Sequence, residues 1–221
     1  MNAVLESVNL AVVLEADWKP DVGRTGIDKR PAAGAVQTGD NVLVGDTIAD
    51  ERSHGGPDQA VYAYAGEDAQ WWSERLRRPV RPGAFGENLT TRGLDVTGAV
   101  IGERWSIGTA VFEVSRPRIP CTTFASFWDV ADLIKQFTAA GRPGAYLRIA
   151  SPGEIRAGDR ITVEHRPAHG VTIGETFRAM TGDHSLAGRL LSAPELPDAV
   201  LDRARKWLAG DHHSETGVPR T

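Results

Sequence analysis

One cysteine occurs in 221 residues, at the end of the stretch Ser115-Arg-Pro-Arg-Ile-Pro-Cys121. A lone cysteine is by default a small buried hydrophobe. Here Arg116 and Arg118 precede it, and nearby cations favour the thiolate. Pro117 and Pro120 remove N–H donors and stiffen the backbone, so the segment is expected to leave its strand and hold the thiol at a rim. A thiolate so placed is a nucleophile and also a soft ligand for a transition metal. These residues alone leave both roles open. A single thiol excludes an intramolecular disulfide, and an iron–sulfur cluster takes about four thiolates.

Three other stretches have the residue types of a binding site. In His54-Gly-Gly-Pro-Asp58-Gln-Ala-Val-Tyr62 the paired glycines let backbone approach a ligand closely or take positive φ; the plain reading is a turn with an exposed histidine. Gly83-Ala-Phe-Gly-Glu87-Asn88-Leu-Thr-Thr91 puts a carboxylate and an amide in one glycine-bearing loop, where they can hydrogen-bond a heterocycle or simply close a hairpin. Arg24-Thr-Gly-Ile-Asp-Lys29-Arg30-Pro31 sets a hydroxyl and a glycine before two cations, a pattern suited to phosphate without the spacing of a P-loop. A metal site built from histidine is poorly supported: His54 has no close partner, His165 and His169 stand apart, and His212 and His213 fall in a polar tail. The run Arg75, Arg77, Arg78, Arg81 reads as a solvated helix face.

Short strands must position these loops. Val4–Asn9, the region Val22–Lys29, Asn41–Asp46, Ala60–Tyr64, Ile101–Trp105, Thr109–Val114, Ala145–Ile149 and Ile161–His165 are apolar or alternating runs cut by Gly and Pro. That texture predicts a mainly β fold, barrel or sandwich, over residues 1–165. Two helices interrupt it. One spans Glu67–Arg77; the other carries Phe127, Val130, Ile134 and Phe137, with Ser126 as N-cap and Gly141 as stop. Residues 166–221 change character and predict a helical extension: Thr172–Met180, a short helix at Leu186–Leu191, and a third from Val200 to Leu208 ending at Gly210.

Charged residues make up 24% and hydrophobic ones 41%, an ordinary globular composition, and the net charge of −4 gives no electrostatic case for nucleic acid or membrane as main partner. No signal peptide is visible and no apolar run approaches the ~18 residues that span a bilayer, so a cytoplasmic location is expected.

In their order along the chain, four motifs resemble the MOSC domain family, named for the C-terminal domain of molybdenum-cofactor sulfurases, and more closely its stand-alone bacterial, YiiM-like members. They are Thr25-Gly-Ile-x-Lys29-x-Pro31, His54-Gly-Gly-x-Asp58-x-Ala-Val-Tyr62, Phe85-Gly-Glu-Asn-Leu89 and Arg118-x-Pro-Cys121. The resemblance spans about residues 1–165, and the helical tail is similar to the extension of those proteins. It implies a β-barrel binding molybdopterin, with Cys121 as molybdenum ligand or persulfide carrier. Lys29, His54 and Arg118 would meet the cofactor's anionic groups, and Glu87 and Asn88 would face pterin or substrate. Thr25, Gly55, Gly56, Asp58 and Phe85 would complete the binding set. It implies an oxidoreductase that reduces N-hydroxylated bases or related N–O compounds; a sulfur carrier and a non-catalytic cofactor-binding module are the alternatives. Electrons would come from a separate flavin or iron–sulfur protein, a second copy of the chain is an allowed partner, and no pyridoxal phosphate is expected. The chain departs from the family at Ala32-Ala33 and at Thr122-Thr123, beside the implied pocket.

Overall fold

The structure, a computed structural model, describes residues 3–18, 23–49 and 55–210. His54, His212 and His213 therefore lie outside the described residues. Among the described residues twelve strands form: β1 (Val4–Ala11), β2 (Leu14–Glu15), β3 (Arg24–Thr25), β4 (Lys29–Pro31), β5 (Val36–Gln37), β6 (Val61–Ala65), β7 (Leu89–Arg92), β8 (Arg104–Ile107), β9 (Ala110–Pro117), β10 (Ala145–Ser151), β11 (Glu154–Ile155) and β12 (Ile161–His165). Six α-helices accompany them: α1 (Gly66–Leu76), α2 (Thr122–Trp128), α3 (Leu133–Ala140), α4 (Ile173–Met180), α5 (Ala187–Leu190) and α6 (Asp198–Leu208).

The main sheet has eight strands in the order β12-β8-β9-β10-β6-β7-β1-β4. Its pairs are antiparallel except β6 with β7. The expected barrel is not closed. β1 spends Val4–Val8 on β7 and Asn9–Ala11 on β4, and no ladder joins it to the far edge at β12: the contact there is an isolated bridge from Val4 to Arg160 with the hydrogen bonds beside it, Leu5 N–H to the Asp159 carbonyl and Ile161 N–H to the Ala3 carbonyl. The chain is thus a sheet-rich mixed fold with peripheral helices.

Three local expectations are corrected. Asn41–Asp46 forms no strand: hydrogen bonds from Gly39 N–H to the Val42 carbonyl and from Asp46 N–H to the Leu43 carbonyl close it into turns. The predicted helix over 126–141 divides into α2 and α3, because Asp129 and Asp132 take left-handed φ of 48° and 56°, which aspartate tolerates better than most residues. Gly141 does cap α3, but α2 begins at Thr122, upstream of Ser126. β9 also persists past Ser115, since Arg116 and Pro117 pair with Tyr146 and Ala145 of β10.

Two apolar clusters hold the fold. One lies under the sheet, around Trp105, Phe112 and Leu147, and takes in Ile173, Leu190, Val200 and Trp207 of the C-terminal helices. α4 carries a capping box in which Thr172 and Glu175 satisfy each other's backbone N–H. The second cluster is aromatic, around Phe85, with Tyr64, Trp72, Phe124 and Phe137 fully buried. Among the described residues no helix is long and apolar enough to cross a membrane.

Candidate functional site

β6 and β10 are neighbours in the sheet, and β9 lies on the far side of β10. The segments leaving these strands, with β3–β4 and the turn at 45–49, enclose a cleft of about 120 Å³. Of the predicted site residues, Thr25, Lys29, Gly55, Asn88, Arg118 and Cys121 line it. Gly55 takes φ +90°, and a Cβ there would press on Ile48 Cδ1 at 2.9 Å, so the wall is built around its missing side chain.

Cys121 is half-buried, in no disulfide, and lies immediately before α2. Arg118, 7% exposed, reaches the same cleft. Its Nη1 donates to the Phe85 carbonyl, and its guanidinium lies 5.2 Å from the Tyr62 ring and 4.6 Å from Phe124. No carboxylate pairs with it among the described residues. Burial alone would lower its pKa, but Tyr62, Tyr146 and Cys121 face it and the balance is upward, so Arg118 stays a cation.

Lys29 is placed differently. Its Nζ sits 2.6 and 2.5 Å from the two carboxylate oxygens of Asp46, in a pair whose side chains are 9% and 3% exposed. Burial lowers the lysine pKa, and Asp46 opposes that shift. Asp46 also accepts from the Ala11 N–H and from Asn88 Nδ2, each at 2.7 Å. The Asn88 Oδ1 accepts from the Tyr62 N–H at 3.1 Å. Lys29 and Asn88 thus knit β1, β4 and β6 into one wall, and Asp46 already answers the lysine charge. Asp46→Ala would strand a buried ammonium, and we expect a loss of about 3–5 kcal/mol, read by urea denaturation. The double variant Lys29→Met/Asp46→Leu removes both charges and should regain most of it. A loss under 1 kcal/mol for Asp46→Ala would mean that water solvates the pair.

The other predicted residues do not line the cleft. Phe85 is 1% exposed inside the aromatic cluster. Glu87 turns back into its own loop, accepting from the N–H groups of Gly83 at 2.6 Å and Phe85 at 3.0 Å and from the Thr90 hydroxyl at 3.0 Å. That loop is seated by Gly83, with φ +80°, whose carbonyl accepts from Lys29 N–H at 3.3 Å; a Cβ there would collide with the Lys29 carbonyl. Asp58 pairs with Arg148 at 2.6 Å, and Gly56 caps the 3-10 turn at Pro57–Gln59. The arginine run is not a plain solvated face either. Arg78 donates to the Trp128 carbonyl, and Arg81 pairs with Asp28 and donates to the Lys29 carbonyl at 2.5 Å.

Burial raises the Glu87 pKa above its ordinary 4.5 and outweighs the hydrogen bonds that lower it. The folded state then holds a proton that the unfolded chain releases, so Glu87 costs stability as pH rises through the window above 4.5. The stability difference between wild type and Glu87→Gln should therefore change between pH 4 and 7 in favour of the variant. Denaturation across that range checks it, and a change in the opposite direction would show that the hydrogen bonds win.

Sequence reasoning missed Asp46 and Tyr146, and did not single out Tyr62. Asp46 has no motif, only a place after an apolar run that looked like a strand. Tyr146 was a strand residue, and its meaning comes from its partner in the register, Arg116.

Residues 50–162 match the MOSC domain. The chain is 35% identical over 167 residues to the uncharacterized protein YflK of Bacillus subtilis, covering 76% of each. It is 30% identical over 192 residues to a protein named reductase from Gibberella moniliformis, covering 83% of this chain and 34% of that one. The crystal structure of YiiM from Geobacillus stearothermophilus superposes with a TM-score of 0.78 at 29% identity, over 93% of this chain and 99% of the other. The chain belongs to the MOSC domain family and is similar to its YiiM-like members, and that family is associated with the molybdenum cofactor.

Proposed function

We propose that this chain is a molybdenum-cofactor-dependent oxidoreductase that reduces N-hydroxylated bases and related N–O compounds, with Cys121 as the molybdenum ligand. The observation that carries the reading is the pairing, in one cleft, of the single thiol with a buried arginine that no described carboxylate neutralises. Buried charges are normally paired, and a cation that faces the Cys121 sulfur but no described carboxylate suits an anionic ligand in the cleft. The donor set fits the cofactor at its metal end. Among the described residues no group of three His, Cys, Asp or Glu could hold a metal, so a metal on Cys121 needs further ligands from a non-protein group, as molybdopterin provides. When bound, that group supplies two-electron chemistry that no side chain here possesses.

In this reading Arg118 holds an anionic part of the cofactor, and the Lys29–Asp46–Asn88 wall fixes the cleft's shape. Thr25, Gly55 and Thr123 border the remaining space. Phe85 and Glu87 act through the loop that seats Arg118. The fungal relative's name supports reduction as the reaction class. With one cysteine the chain has no cluster of its own, so electrons come from a separate flavin or iron–sulfur protein.

Purified wild-type protein from a host that makes the molybdenum cofactor should contain molybdenum and pterin in equimolar amounts with the chain. Metal and pterin analysis reads this directly, and protein that carries neither from such a host would overturn the proposal.

A further inference from the structure

The cleft holds a proton donor that the reading above leaves unused. Tyr146 lies on β10 opposite Arg116 and shares the cleft wall with Cys121, Arg118 and Tyr62. Its ring stands 5.2 Å from that of Tyr62, inclined at 41°. The two phenols differ in one respect. Tyr62 is 3% exposed, and its hydroxyl donates to the Pro143 carbonyl at 2.8 Å, so its proton is committed to the backbone. Tyr146 is only half-buried, and no hydrogen bond claims its hydroxyl among the described residues. Arg116 stands opposite it in the strand register, and Arg118 lies on the same cleft wall. At neutral pH the group is a protonated phenol, with two cations at hand to receive the phenolate.

We infer that Tyr146 is the acid that protonates the departing oxygen when an N–O bond is cleaved in this cleft; the inference rests on the N–O reductase reading. The net reaction converts R–NH–OH, two electrons and two protons into R–NH2 and water. The N–O bond breaks. The two electrons come from the separate flavin or iron–sulfur donor. The leaving hydroxyl takes the Tyr146 proton and departs as water, and the nitrogen takes the second proton from solvent. The phenolate left beside Arg118 and Arg116 is then reprotonated by water. Without the phenol, hydroxide must leave unassisted, which is the penalty that a positioned general acid removes.

The test compares wild type, Tyr146→Phe and Tyr62→Phe, each carrying molybdenum, with N-hydroxycytosine as substrate and reduced methyl viologen as electron source. We expect Tyr146→Phe to keep wild-type molybdenum content, thermal midpoint and KM while kcat falls about 100-fold or more. The alkaline limb of its pH–kcat profile should disappear. A second measurement needs no turnover. Alkaline absorbance titration of the metal-free native protein should show one accessible phenol among the three tyrosines, absent in Tyr146→Phe and present in Tyr62→Phe. A third variant, with 3-fluorotyrosine at 146, keeps the ring and acidifies the phenol, and should move the alkaline limb to lower pH. Wild-type kcat and pH profile in Tyr146→Phe would overturn the donor role and leave the reductase reading standing. So would a kcat loss matched by an equal loss of molybdenum, which marks a structural role. Molybdenum-loaded wild type that leaves the substrate unreduced overturns both.

Discussion

Cys121→Ser is expected to fold as stably as the wild type, to lose N–O reduction entirely, and to retain far less molybdenum. The exchange replaces one atom, at a half-buried position on the edge of the aromatic cluster, so packing changes little. Chemistry changes more. A thiolate is a soft donor that binds transition metals well, whereas a serine hydroxyl stays protonated and makes a hard, weak ligand. Arg118 makes the contrast sharper, because a fixed cation stabilises an anionic sulfur and gives nothing comparable to a neutral alcohol. Three measurements separate the outcomes: metal and pterin content, turnover, and urea denaturation. A stable variant with wild-type molybdenum and turnover would remove Cys121 from the mechanism. If desulfurase treatment added one sulfur to wild-type Cys121 while N–O compounds went unreduced, the sulfur-carrier alternative would replace the reductase.

The motif residues show why some of this site was legible and some was not. That Arg118 and Cys121 share a cleft was readable from residue type and spacing, since Pro117 and Pro120 limit where the chain can go. Gly55 was readable for the same reason: positive φ is a demand that only glycine meets cheaply. Glu87 misled because a buried carboxylate in a glycine-rich loop has two destinations, the ligand or its own backbone, and sequence spacing does not distinguish them. Lys29 looked like a free cation for phosphate because its partner, Asp46, lies 17 residues on, in a turn that reads as a strand. The strands were largely readable from alternation, but barrel closure was not. Closure depends on how β1 divides its two edges between β4, β7 and β12, a non-local fact of register.

Phe85→Ala should be among the most damaging single substitutions in the fold, at about 3–5 kcal/mol. The ring is 1% exposed. It meets Tyr64, Trp72, Phe124, Trp128 and Phe137 with centroids between 5.1 and 6.2 Å, mostly edge to face. Removing it leaves a cavity that these rigid neighbours, drawn from β6, α1, α2 and α3, cannot fill without moving together. The site is affected through the backbone. The Phe85 carbonyl holds the Arg118 guanidinium, and the Phe85 N–H is one of the donors that Glu87 gathers. A loop that relaxes into the cavity releases both. The variant should therefore lose molybdenum retention as well as stability. Phe85→Leu, which keeps most of the volume and the loop in place, should lose less of each. Urea denaturation gives the first effect and metal analysis of the soluble fraction the second. A Phe85→Ala protein that unfolds at a clearly lower urea midpoint yet binds molybdenum as the wild type does would show that Arg118 is held by Tyr62 and Phe124 alone, and that the carbonyl contact is incidental.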